Sequence, residues 1–166
     1  MKTDSQKNIL IIEDEKSLLE LLSYKFKDSG FKVNCAQSAE VGLKLALQRR
    51  PDLILLDIIL PKMDGLTMLK KLRQDSRGAG VPVIILSNLN DREKVSEAMQ
   101  IGVYDFLIKS NAKLADIVKE VRDVLSELSI VLLVVYFSQK YAYYCTNTYW
   151  QPKRYHFKSA GGLKGL

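Results

Sequence analysis

Two short stretches limit what this chain can fold into: Leu53-Ile54-Leu55-Leu56 and Val83-Ile84-Ile85-Leu86, each apolar with no alternation. Successive side chains of a strand point to opposite sides, so a strand with one wet face alternates apolar and polar residues. A strand that is apolar throughout is covered on both faces, as in a parallel sheet packed between helices. Similar runs recur at regular intervals, and residues 8–13, 31–36, 52–57, 81–87 and 103–109 read as five strands. Between and after them, residues 15–29, 38–50, 64–75, 91–101 and 112–128 read as helices. Gly30 and Gly102 stand where a left-handed residue ends a helix, Pro51 stands where a helix cannot continue, and Gly78 and Gly80 follow the third helix. This alternation predicts an α/β fold, a doubly wound five-stranded parallel sheet with helices on both faces, ending near residue 128.

A chain of 166 residues, 47% of them hydrophobic, supplies one well-buried core rather than two. The net charge of +6 suggests a nucleic-acid partner until it is divided by position. Residues 1–127 hold 20 Lys and Arg against 19 Asp and Glu, whereas residues 128–166 hold 5 against none. The folded part is therefore close to neutral, and the basic excess belongs to the end of the chain. We read residues 1–128 as one domain and 129–166 as an unassigned tail. Cys35 and Cys145 lie far apart with no Cys-x-x-Cys spacing, which argues against a disulfide framework or a zinc site and suits a reducing compartment. The polar opening Met1-Lys2-Thr3-Asp4-Ser5-Gln6-Lys7 lacks the apolar segment of a secretory signal, so a cytoplasmic location is expected.

Ligands of open parallel sheets bind outside the carboxyl ends of the strands. At those ends stand Glu13 and Asp14 after the first strand, Asp57 after the third, Ser87 at the fourth and Lys109 at the fifth. Carboxylates gathered on one rim repel, and a hard divalent cation with oxygen ligands relieves this; Mg²⁺ is the common intracellular choice. Asp57 can then stay ionised as a nucleophile toward phosphorus. The spread negative charge of a transferring phosphoryl group would meet the metal, the Lys109 ammonium and the Ser87 hydroxyl. Taken singly, each residue has a plainer reading. A strand-end Asp is often a turn former, an acidic pair often charges the first turn of the next helix, and a lone lysine is usually solvated. Their joint placement at four strand ends favours phosphoryl transfer to a carboxylate.

The motif Ile11-Ile12-Glu13-Asp14-Glu15, then Asp57 followed by Leu60-Pro61-Lys62-Met63-Asp64-Gly65, then Ser87 and Lys109, makes residues 8–128 resemble the receiver domain of two-component response regulators. The resemblance implies a flavodoxin-like strand order 2-1-3-4-5. It implies a Mg²⁺ site made by Glu13, Asp14, Asp57 and the main-chain carbonyl of Ile59. Asp57 would be the phosphoacceptor, served by Lys109 and Ser87 and supplied by a sensor histidine kinase or histidine phosphotransfer protein. Ser87 and Phe106 correspond to the family's switch, a hydroxyl drawn toward the phosphoryl group and an aromatic that turns inward behind it. Tyr104, by strand alternation, points to the same side as Phe106. A downstream target protein would read the surface of the fourth helix, fifth strand and fifth helix, where a homodimer is also a candidate. The role implied is regulatory rather than enzymatic.

Some positions depart from the family. Ser110 replaces the proline that usually follows the lysine; a cis bond there would cost about 2.5–4 kcal/mol without proline, so a trans junction with a looser hold on Lys109 is predicted. Asn88 replaces a small residue and is predicted to narrow the approach to Asp57. Ile59 and Leu89, which flank the path of a hydrolytic water, are both apolar, which predicts slow self-dephosphorylation because neither can orient that water. Asn88 and Ser110 keep a phosphorylation-independent interaction module open as an alternative. A haloacid-dehalogenase-type hydrolase needs a second Asp where Ile59 stands, and dinucleotide binding lacks its Gly-x-Gly-x-x-Gly turn.

The 38 residues after Leu128 are too few for a winged-helix domain, so no DNA-binding domain is expected. The apolar run from Ile130 to Phe137 is about half of the roughly 20 residues needed to span a bilayer, and it either extends the last helix or packs as a strand. Tyr141, Tyr143, Tyr144, Tyr149, Trp150 and several basic residues follow it, a composition open to a membrane surface, to single-stranded nucleic acid, or to an unselected extension. His156 reads as a surface residue.

Overall fold

The structure is a computed structural model that describes residues 6–88 and 92–141, with side chains described as far as Val131 apart from Arg92. The chain runs β1 (Asn8–Ile12), α1 (Lys16–Asp28), β2 (Lys32–Ala36), α2 (Ala39–Arg49), β3 (Leu53–Leu56), α3 (Gly65–Gln74), β4 (Val83–Ser87), α4 (Arg92–Ile101), β5 (Asp105–Ile108) and α5 (Leu114–Tyr141). The strands form one parallel sheet in the order β2-β1-β3-β4-β5, as the sequence predicts. Five strands and five helices fall in the expected places, with strand ends shifted by one or two residues.

The doubly apolar runs occupy the middle of the sheet, where every residue of β3 and β4 is buried. On one face, Ala39, Ala46, Met68, Leu69, Leu72 and Ala98 of α2, α3 and α4 close over Leu10, Ile12, Ile54, Leu56 and Ile85. On the other, Leu19, Leu22 and Phe26 of α1 and Val121, Val124 and Leu125 of α5 cover Ile9, Ile11, Leu53, Leu55 and Ile84. The outer strands follow a different pattern for the same reason. β2 buries only Ala36 and β5 is half-buried throughout, because each has a neighbour on one side only.

Local chemistry sets the helix limits. The Ser38 hydroxyl accepts from the Val41 amide at 3.3 Å, and the Asp64 carboxylate accepts from the Thr67 amide at 2.8 Å, which starts α2 and α3. Gly30 and Gly102 take positive φ angles of 91° and 96° at the ends of α1 and α4. At the end of α2 that conformation falls to Arg50, φ 45°, because Pro51 bars the residue before it from continuing the helix. The Arg73 guanidinium of α3 donates to the carbonyls of Gly78 at 3.0 Å, Val81 at 2.9 Å and Gly102 at 2.7 Å, tying the turns before β4 and β5 together.

α5 departs most from expectation. It runs to Tyr141 rather than ending near residue 128, because no glycine or proline interrupts the apolar run from Ile130 to Phe137. Of the two readings of that run, helix extension is the outcome. By its internal contacts the chain divides into two units, Met1–Ser129 and Ile130–Leu166. Among the described residues no helix is long and apolar enough to cross a membrane. The expectations that concern Leu89, Tyr143, Tyr144, Cys145, Tyr149, Trp150 and His156 lie outside the described residues.

Candidate functional site

Register brings the acidic residues together. Ile12 of β1 is level with Leu56 of β3, so the next residues, Glu13 and Asp57, leave the sheet side by side. Leu56 is in turn level with Ile85, and Ser87 with Ile108, which places Ser87 and Lys109 on the same rim. The ladder continues into the loops: the Asp57 amide donates to the Ile12 carbonyl at 3.0 Å, and the Lys109 amide to the Ser87 carbonyl at 3.1 Å.

Glu13, Asp14 and Asp57 each bring a carboxylate oxygen within 4.8 Å of the others. Glu13 and Asp57 are buried, Asp57 being only 5% exposed, whereas Asp14 is open to solvent. Asp57 Oδ1 accepts from the Ser87 hydroxyl at 2.7 Å and from the Ile59 amide at 3.0 Å. The Lys109 ammonium lies 2.5 Å from Asp57 Oδ2 and 2.5 Å from Glu13 Oε2, bridging the two buried acids. Burial raises the Glu13 pKa above the usual carboxylate value, in spite of its bond to Lys109. Burial works against the Lys109 charge, but hydrogen bonds to Asp57 and Glu13 outweigh it and hold that ammonium above its ordinary pKa.

The donor set fits a hard divalent cation. With all four side chains ionised, three carboxylates and one ammonium leave two negative charges uncompensated within a few ångströms, and one of the acids faces solvent where an ion enters. Glu13, Asp14 and Asp57 are the residues that would hold it; Ile59, whose main-chain carbonyl the resemblance adds, follows two residues after Asp57.

Phe106 on β5 is half-buried against the cluster under α2, α3 and α4, in line with Ile85 of β4. Tyr104 does not share that setting, which corrects the alternation argument. It precedes β5, and its hydroxyl donates to Glu127 of α5. Ser110 sits in a turn closed by the amides of Asn111 and Ala112 on the Ile108 carbonyl, both at 3.1 Å, with trans peptide bonds among the described residues. Lys109 is thus anchored through its ammonium and its amide alike. Asn88 is exposed. Ile59, two residues after Asp57, is 53% exposed.

Three features of the site have no separate signal in the sequence. These are the Ile59 amide as a donor to Asp57, the ion pair of Lys109 with Glu13, and the role of Gly65. A Cβ on Gly65 would collide with the Asp57 carbonyl oxygen and stand 2.8 Å from Ile58 Cα. Gly65 also donates to the Ile58 carbonyl at 2.9 Å, so α3 begins in contact with the turn that follows Asp57. The Asp64-Gly65 pair was visible as part of a motif, but its geometric reason was not.

Known proteins place this arrangement in a class. The response regulator receiver domain pattern matches residues 9–122. The DNA-binding dual master transcriptional regulator RpaA of Synechocystis sp. is 39% identical over 101 residues, 61% of this chain and 42% of that protein. Regulatory protein AtoC of Escherichia coli is 37% identical over 101 residues, 61% of this chain and 22% of that protein. The chain thus spans less than half the length of these curated relatives. Among solved structures, a CheY-like receiver domain protein from Methanospirillum hungatei superimposes with a TM-score of 0.70 at 25% identity, covering 74% of this chain and 96% of that one. A five-stranded 2-1-3-4-5 sheet with an acidic rim and its lysine defines a signalling receiver. The chain belongs to the response regulator receiver family.

Proposed function

We propose that this protein is a phosphoacceptor of a two-component system: it takes a phosphoryl group onto Asp57 in a Mg²⁺-dependent reaction and thereby alters a protein-binding surface. One observation carries this reading. The Asp57 carboxylate is buried with a hydroxyl on one oxygen and an ammonium on the other, so the groups that hold it are placed to hold a phosphoryl group on it. In the reaction a carboxylate oxygen forms the new P–O bond while the P–N bond of a donor phosphohistidine breaks, and the freed imidazole takes up a proton. The Ser87 hydroxyl and the Lys109 ammonium then turn to the phosphoryl oxygens, whose charge they neutralise. Glu13, Asp14 and Asp57 would hold a divalent cation, which would supply further positive charge against the incoming group.

Lys109 and Ser87 lie at the ends of β5 and β4, so loss of their bonds to Asp57 is transmitted to Phe106 and to the face of α4, β5 and α5. This biases two states of one fold rather than making a new one. A histidine kinase or phosphotransfer protein as donor, a downstream protein as target, and a cytoplasmic setting follow from this role, which is regulatory rather than enzymatic. The exposed apolar Ile59 supports slow hydrolysis of the acyl phosphate, since it cannot orient a water. The same α4-β5-α5 face, where Tyr104 meets Glu127, is the candidate for a homodimer.

The test is intact mass after incubation with acetyl phosphate and Mg²⁺. A gain of about 80 Da, one phosphoryl group, is expected in the wild type and in neither Asp57→Ala nor a chelated sample. No gain in the wild type would leave a phosphorylation-independent interaction module.

A further inference from the structure

Away from the acidic rim, a groove of about 720 Å³ opens between α1, the end of β2 and the start of α2. One stripe of α1 forms its wall: Lys16, Leu19, Glu20, Ser23, Tyr24 and Lys27 fall three or four residues apart and so share a face. Ala36 and Val41 add apolar surface from the other side, and the exposed Cys35 thiol lies in the groove with them. No side chain of the groove belongs to the set at Asp57. Pockets for small ligands enclose about 300–1,000 Å³, mostly apolar with a few polar groups that fix orientation.

Ser23 is the telling residue. It is only 8% exposed and sits beside the core positions Leu19, Leu22 and Phe26, yet its hydroxyl has no hydrogen-bond partner among the described residues. No fully enclosed side-chain oxygen goes unpaired among them, so this one stays open to the groove it lines. A buried hydroxyl without a partner costs stability, and an acceptor atom of a ligand would relieve it. Charge gives the sign of that ligand. Lys16 lies 3.8 Å from Glu20, and Lys25 pairs with Asp28, but Lys27 has no acidic partner among the described residues. Tyr24, 70% exposed, offers a ring for stacking. Tyr24 and Val41 are the large apolar side chains exposed here, too few for a protein partner, which covers roughly 800 Å² of each surface. We propose that this groove binds a small aromatic acid, its ring against Leu19, Tyr24 and Val41, an oxygen on the Ser23 hydroxyl and its negative charge toward Lys27.

The probe is 1-anilinonaphthalene-8-sulfonate, an aromatic acid whose fluorescence rises in apolar surroundings, titrated into the full chain. Saturable binding is expected, and it should shield Cys35. At about ten times the dissociation constant, alkylation by iodoacetamide, read in the peptide that contains Cys35, should slow about tenfold, while Cys145 serves as the reference. Lys27→Glu replaces an attraction by a repulsion and should weaken binding roughly tenfold. Val41→Asp places a carboxylate in the wall and should weaken it as well; the first turn of a helix accepts an acid, so α2 is expected to keep its circular dichroism. Lys44→Glu, outside the groove, should leave the affinity unchanged. Absence of saturable binding, or equal alkylation of Cys35 with and without the probe, would overturn the proposal, and the second of these needs no variant to fold. So would equal affinities of the wild type, Lys27→Glu and Val41→Asp.

Discussion

A methyl group on Gly65 has nowhere to go: the carbonyl of Asp57 and the Cα of Ile58 already occupy its space, and both are backbone. Gly65→Ala therefore has to push α3 away from the turn that follows Asp57. We expect a loss of about 1–3 kcal/mol, typical of overpacking, read from the denaturation midpoint, together with slower labelling of Asp57 by acetyl phosphate. The residue types of the site were legible in the sequence, because a carboxylate, a hydroxyl and an ammonium each announce their chemistry. Contacts that depend on the path of the backbone were not. The Ile59 amide is invisible as a donor until the loop is seen, and Tyr104 was given the wrong neighbours because the strand it was assigned to begins one residue later.

Among the elements, Arg73 does the work of a tie bar. Its guanidinium is half-buried, burial lowers its pKa from the usual value, and its hydrogen bonds run to the backbone carbonyls of Gly78, Val81 and Gly102. Arg73→Met keeps much of the stem and removes the donors. The expected cost is about 2 kcal/mol or more, since carbonyls left without partners are costly, with faster amide exchange around Gly102 as the local sign. A lower denaturation midpoint with unchanged exchange there would contradict that role. Element positions were readable because β3 and the first four residues of β4 are wholly apolar and because Gly30, Gly102 and Pro51 punctuate the helices. The length of α5 was not readable. Once the pattern became uniformly apolar after Ser129, periodicity no longer separated helix from strand, and only the absence of a breaker pointed onward.

For the molecule as a whole, the proposed divalent-ion site on the acidic rim predicts a stability that depends on Mg²⁺. An ion that binds only the folded state stabilises it by about 2.7 kcal/mol at a hundred times its dissociation constant. Mg²⁺ should therefore raise the melting temperature of the wild type by several degrees in calorimetry. EDTA should reverse the rise, and Asp57→Ala, which lacks one of the three carboxylates, should lose most of it. An equal rise in the variant would place the ion elsewhere.

The strand order carries a consequence for how the protein is made. β5 is both the last strand translated and an outer strand of the sheet, and Lys109 follows it at once. On the ribosome, Glu13, Asp14 and Asp57 are therefore all made before the ammonium that bridges two of them. A product released before residue 109 has the acids but lacks the ammonium that bridges Glu13 and Asp57. If Asp57 accepts a phosphoryl group as proposed, such a fragment would be a poor acceptor, because the ammonium placed to neutralise the incoming charge is missing.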